Sequence, residues 1–187
     1  MKWNDHDRLV GTHAFLSPSQ YHWINYDDDK LIERYNTKKA AEEGTELHAI
    51  AEALIRKRIK LPSRSNKTLN LYVNDAIGFH MRTEQCLYYS DNCFGHADAI
   101  SFINNCLRIH DLKTGTVPAH MEQLEIYAAL FCIEYKKDPN DIDIELRIYQ
   151  SNQVMVHNPE KTDILYIMDK IKRSDSIIKE LEEEASQ

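Results

Sequence analysis

The chain has 187 residues, 42% of them hydrophobic, and that length suffices to bury one substantial core, so a single domain spanning 1–187 is expected. No apolar run approaches the roughly 18 residues of a membrane span, and the opening MKWNDHDRLVG lacks the apolar stretch of a secretory signal, so a cytoplasmic protein is expected. The formal net charge of −7 speaks against a protein that coats phosphates with Lys and Arg, but not against an enzyme that gathers carboxylates around a cation.

In chain order, Ser17-Pro18-Ser19-Gln20 reads as a helix start, with Ser17 at the N-cap, Pro18 in the first turn and Gln20 closing a capping box. A short helix to about Trp23 follows. Residues 38–60 are rich in helix formers, and Leu47, Ile50, Ala51 and Leu54 recur at helical spacing, which predicts a long helix weakened early by Gly44. Asn74 is placed to cap a further helix reaching about Arg82. The pattern then changes period: residues 85–90, 94–103 and 106–113 alternate as strands, with Asn104-Asn105 as a two-residue turn. A helix over 119–135 ends at Asp138-Pro139-Asn140. A second hairpin, 142–149 and 153–157, turns at Ser151-Asn152, and a charged amphipathic helix occupies 160–185. This order predicts an α/β (α+β) domain with a mixed central sheet flanked by helices. Cys86, Cys93, Cys106 and Cys132 include no C-x-x-C pair and read as free thiols of a reducing compartment.

The chemistry concentrates on the first hairpin. With Asn104 and Asn105 as its turn, Ile103 faces Cys106, and stepping outward sets Asp98 opposite Asp111 with Cβ atoms about 4.5–5.5 Å apart. Their neighbours on that face are apolar: Ile100, Phe102, Leu107 and Ile109. Two carboxylates so placed repel unless a proton or a cation lies between them, so a divalent ion on hard oxygen ligands is expected. Lys113 lies two residues past Asp111 and points to the same side. A D-x-K tripeptide alone is commonplace on protein surfaces; the facing Asp98 is what singles this one out. His48 and Glu52 share a helix face at i, i+4, as do Gln123 and Tyr127. Arg56, Lys57, Arg58, Lys60, Arg64 and Lys67 form a local basic stretch able to guide a phosphate backbone.

The series GTELHAIAE (44–52), GHADAI (95–100), IHDLKTG (109–115) and QLEIY (123–127) resembles the RecB-type branch of the PD-(D/E)XK nucleases, which also includes CRISPR-associated adaptation nucleases. The earlier HAFLSPSQYHWINY (13–26) and EEGTELHAIAE (42–52) are similar to phage and prophage proteins of that branch. The resemblance implies a restriction-endonuclease-like core with one or two Mg²⁺ or Mn²⁺ ions on His48, Asp98, Asp111 and the main-chain carbonyl of Leu112. It implies Lys113 as the catalytic lysine and Glu52 as a supporting or second-metal ligand. Gln123 and Tyr127 would contact DNA, with Ser17, Ser19, Arg56 and Arg58 as further candidates. The motif proline before the first Asp is Ala97 here, and the cysteines do not match the pattern that holds an iron–sulfur cluster, so none is expected. The implied activity is metal-dependent DNA hydrolysis, most simply by an exonuclease acting on single- or double-stranded ends in recombination, replication or repair, with an oligomer or a recombination partner compatible. The rival readings are a catalytically silent DNA- or protein-binding module and a regulator of host defence that keeps the fold.

Overall fold

The computed structural model describes residues 14–115 and 117–185. They divide into two compact units, one up to Glu43 and one from Gly44 onward. In the first, Pro18–Asn25 is a 3-10 helix rather than the expected α-helix. Ser17 occupies its N-cap but makes no side-chain cap hydrogen bond, so no capping box locks an α-helical turn there. Trp23 instead donates its indole N–H to the Ser17 carbonyl at 3.0 Å.

Helix α1, Asp28–Arg56, starts about ten residues before the expected point. The unnoticed signal was Asp27, whose carboxylate accepts the Lys30 N–H at 2.8 Å, followed by two acidic residues in the first turn. The helix stops before Arg58, which takes a left-handed φ of 54°. The Arg58 N–H donates to the Ile55 carbonyl and the Ile59 N–H to that of Leu54, the bond pair of a Schellman ending. Helix α2, Thr68–Gly78, contains Asn74 mid-helix rather than at its cap. There the Asn74 amide clamps the Leu61 main chain, accepting its N–H and donating to its carbonyl, each at 2.9 Å.

Strands β1 (Arg82–Ser90), β2 (Cys93–Ile103), β3 (Cys106–Leu112), β4 (Asp143–Gln150) and β5 (Gln153–His157) form one sheet in that order. All neighbours are antiparallel except β3 and β4, which are parallel and joined through helix α3, Glu122–Glu134. The two hairpin turns fall on Asn104-Asn105 and Ser151-Asn152, where all four residues have φ between 51° and 61°, the demand of a type I′ turn that Asn meets at low cost. Helix α4 is Lys161–Ala185. The fold is thus α+β with a mixed five-stranded sheet, and among the described residues no helix is long and apolar enough to cross a membrane.

Both faces of the sheet are covered. On one, Leu87, Ile100, Leu107, Ile109, Leu146 and Ile148 pack with Leu124, Ala128 and Phe131 of α3 and Ile164 of α4. On the other, Ala99, Leu112 and Tyr149 meet Ala51 and Ile55 of α1 and Tyr72, Val73 and Ala76 of α2. Each fully buried Leu or Ile contributes about 1.5–3 kcal/mol, so these layers hold β3 firmly at the centre. On the α2 side Tyr149 donates to Asp75 at 2.8 Å and Arg147 pairs with the same carboxylate at 3.0 Å. The adjacent His110 is fully buried, and burial, aided by Arg147 and Arg108, depresses its pKa to about 3, so it is neutral.

Candidate active site

The β2–β3 ladder follows the expected register from Ile103↔Cys106 to Ala99↔His110, then stops one step short of Asp98 and Asp111. β3 continues along β4 as far as Leu112↔Tyr149, so the two strands part at the two carboxylates. Asp98 consequently does something the simple hairpin does not predict: its Oδ2 accepts the Leu112 N–H at 3.0 Å, taking the place of the lost ladder partner. The next amide, Lys113 N–H, donates to Tyr149 in β4. Because a trans peptide points its carbonyl opposite its N–H, the Leu112 carbonyl faces away from β4, toward the Asp98 side.

A second irregularity lies on β1. Glu84 has a left-handed φ of 50°, and regular pairing with β2 is found on either side of it, at Thr83↔Ala99 and Gln85↔Ala97. Across this point the alternation of faces slips: Ala97 and Ile100 belong to one core, while Ala99 belongs to the other. The slip leaves Glu84 and Asp98 beside each other and near α1. Ligand atoms of His48, Glu84 and Asp98 all lie within 4.8 Å of one another, with His48 Nδ1 3.5 Å from Asp98 Oδ2. Glu84 was absent from the sequence-derived site; its place depends on a left-handed residue inside a strand, which periodicity does not signal. Glu52, expected as a supporting ligand, turns instead to Arg56 one turn on, at 2.9 Å, and stands outside that group.

Asp111 lies just beyond the group, almost fully buried. Lys113 Nζ is 3.1 Å from its Oδ1 and 3.0 Å from its Oδ2, yet Oδ2 receives no well-directed hydrogen bond among the described residues. Burial pushes both carboxyls above their ordinary values. For Asp98 the Leu112 N–H and His48 oppose the rise; for Asp111 the Asp98 charge adds to it and Lys113 opposes it. Lys113 also donates to Gln123 Oε1 at 3.0 Å, so the first residue of the Gln123/Tyr127 pair reaches the lysine. Tyr127, one turn on, lies over Gly95, where an added Cβ would meet its ring at 2.9 Å; only glycine allows that approach. Gly44 serves similarly, since a Cβ there would come within 2.7 Å of the Thr114 hydroxyl. The glycine expected to weaken α1 is the point where α1 meets the loop leaving β3.

Of the remaining candidates, Arg56 is exposed and engaged with Glu52, and Arg58 is exposed at the helix end, so the structure does not bring them to the carboxylates. Ser17 belongs to the first compact unit, and the side chain of Ser19 and residue His13 lie outside the described residues. The four cysteines form no disulfide. No family model, curated protein or solved structure matches the chain.

The donor set suits a hard divalent cation. Two carboxylates and an imidazole converge at ligand distance, and a third, buried carboxylate held by Lys113 stands beside them, one of its oxygens without a well-directed hydrogen bond among the described residues. A lone surface cluster of acids would not bury Asp111 against a lysine.

Proposed function

We propose that the chain is a divalent-cation-dependent phosphodiesterase. Within that class it is a DNA nuclease of the PD-(D/E)XK type, cutting from DNA ends with Mg²⁺ or Mn²⁺. The observation that carries this reading is the convergence of His48, Glu84 and Asp98 where β2 and β3 part, beside the buried Asp111 that holds Lys113, itself bonded to Gln123. A mixed sheet covered by helices on both faces, with the carboxylates on adjacent central strands, also accords with a restriction-endonuclease-like core.

His48, Glu84, Asp98 and the Leu112 carbonyl, with Asp111, would hold the ion. When bound, a divalent cation lowers the pKa of a water and offsets the charge gathering on the attacked phosphate. The chain's own residues supply the rest. Asp111 and Gln123 anchor the Lys113 ammonium from two sides, so that it meets an incoming water or phosphate oxygen without first paying to be ordered. Gln123 in turn is fixed on α3 and Tyr127 by Gly95, which together form a wall for the substrate strand. The test is digestion of end-labelled single- and double-stranded DNA, linear and circular, with Mg²⁺ or Mn²⁺. Linear DNA is expected to shorten from its ends only when the cation is present. Intact DNA of every form with Mn²⁺ at saturation would overturn the proposal.

A further inference from the structure

The Schellman endings of α2 and α3 place two basic residues at one groove. His80, with φ 53°, ends α2, and Lys136, with φ 53°, ends α3 immediately before Lys137. His80 and Lys137 line a cavity of about 420 Å³ with Arg82, Phe102, Phe131 and Tyr135, within the ordinary size range of small-ligand sites. The β1–β2 ladder ends at Arg82↔Ile100, so Ser101, Phe102 and Ile103, still paired with β3 on their other side, run on without β1 beside them and form its wall. The Ser101 hydroxyl there is buried with no hydrogen-bond partner among the described residues.

The lining combines two chemistries. Phe102, Phe131 and Tyr135 form a continuous aromatic bank, with ring centroids 5.2 Å apart for the first pair and 4.8 Å for the second. Tyr135 is its outer member, 46% exposed and tilted 31° from Phe131, so it leaves a face for another planar ring. Arg82 and Lys137 form no ion pair among the described residues, although the chain as a whole is acidic. Lys137 lies over the Phe102 ring at 5.3 Å, at the edge of the bank. A ligand complementary to this lining carries a planar aromatic group and a negative charge, which is the chemistry of a nucleotide. An acidic peptide would satisfy the cations but leave the ring face uncovered.

We propose that this groove binds one nucleotide of single-stranded DNA, its base stacked on Tyr135 and its phosphate met by Arg82 and Lys137. The choice of a strand over a free nucleotide rests on the nuclease reading and on position. Arg82 is two residues along β1 from Glu84, and Ile100 two along β2 from Asp98, roughly 7 Å at strand rise. A strand held here would therefore lie beside the cation site.

The experiment is fluorescence anisotropy of a labelled dT12 oligomer in EDTA, so that cleavage plays no part. The wild type is compared with Tyr135→Ala, Arg82→Ala and Lys137→Ala, all exposed positions, each checked for folding by circular dichroism. Tyr135→Ala is expected to weaken binding about tenfold, the scale of one lost stack. Each cation variant is expected to weaken binding and reduce the slope of log affinity against log salt by about one. Unlabelled dTMP should compete far less well than unlabelled dT12. Wild-type affinity in all three variants, or equal competition by dTMP and dT12, would overturn the proposal. The outcomes separate from those of the nuclease reading: a protein that binds here without cutting DNA fails only the earlier one, and a protein that cuts while the variants bind normally fails only this one.

Discussion

Replacing Lys113 with Ala separates catalysis from cation binding. In the structure the ammonium is the neutralising partner of a carboxylate that is 3% exposed, at 3.0–3.1 Å, and it is steadied by Gln123 at 3.0 Å. The loss leaves Asp111 buried and unpaired, at a cost of about 1–3 kcal/mol without cation. In a chain of this size each kcal/mol shifts the melting temperature by about 2–4 °C. Added Mn²⁺ should recover most of that loss, because the cation supplies the missing positive charge while the His48, Glu84 and Asp98 donors are untouched. Turnover should not recover: removing one group of this kind typically costs ~10²–10³ in rate. The assay pairs thermal melts, with EDTA and with Mn²⁺, with single-turnover digestion of end-labelled DNA at saturating cation. Cleavage by Lys113→Ala at the wild-type rate would refute the mechanism even with the fold intact, and an unchanged melt in EDTA would refute the electrostatic account of Asp111.

Glu84→Gln should weaken Mn²⁺ binding about tenfold or more by calorimetry while Glu52→Gln leaves it unchanged; the reverse order would return Glu52 to the site in place of Glu84. A third prediction follows from the raised pKa values of Asp98 and Asp111. The folded state holds these protons more tightly than the unfolded one, so the stability they contribute is full below their ordinary values and is lost as pH rises through the raised ones. Melts in EDTA should show this decline in the wild type and a smaller one in Asp98→Asn/Asp111→Asn, and Mn²⁺ should remove the difference; parallel pH curves for the two proteins in EDTA would contradict it.

The strands, both hairpin turns and the last two helices were legible because each is a local pattern: alternation bounded by Asn-Asn or Ser-Asn, and helical runs bounded by Pro. The register of the first hairpin followed from its turn alone, and it brought Asp98 and Asp111 to adjacent strands. What the turn does not encode is where the ladder stops. That is set by β3 staying with β4, a parallel pairing made across α3, so the Asp98–Leu112 hydrogen bond was out of reach of a hairpin argument. Glu84 fell outside the expected strand, 85–90, and its place within the longer β1 depends on a left-handed residue that periodicity does not signal. For Glu52, i, i+4 spacing puts a side chain on a face without choosing its partner, and in the structure its carboxylate pairs with Arg56 at the following i+4 position. Helix α1 was begun at 38 because the Asp27 cap went unread, and Gly44 was read only for its propensity. Its closeness to Thr114, which makes glycine necessary, is a tertiary fact.

The cost of the site is borne by packing that does not depend on it. Asp111 sits between His110 and Leu112, both buried on the opposite face, where Tyr149, Asp75 and Arg147 bind one another and leave β3 no freedom to roll. On its own face Leu107 and Ile109 are fixed beneath α3. The strand therefore cannot carry the carboxylate out to water, and neutralisation must come to it, as a proton, as Lys113 or as a cation. A carboxylate that could swing outward would lower its own energy and lose its use; one held by two cores stays buried against Lys113, next to the strand that carries Asp98. The same rigidity implies that cation binding moves side chains and leaves the β3 backbone where it is.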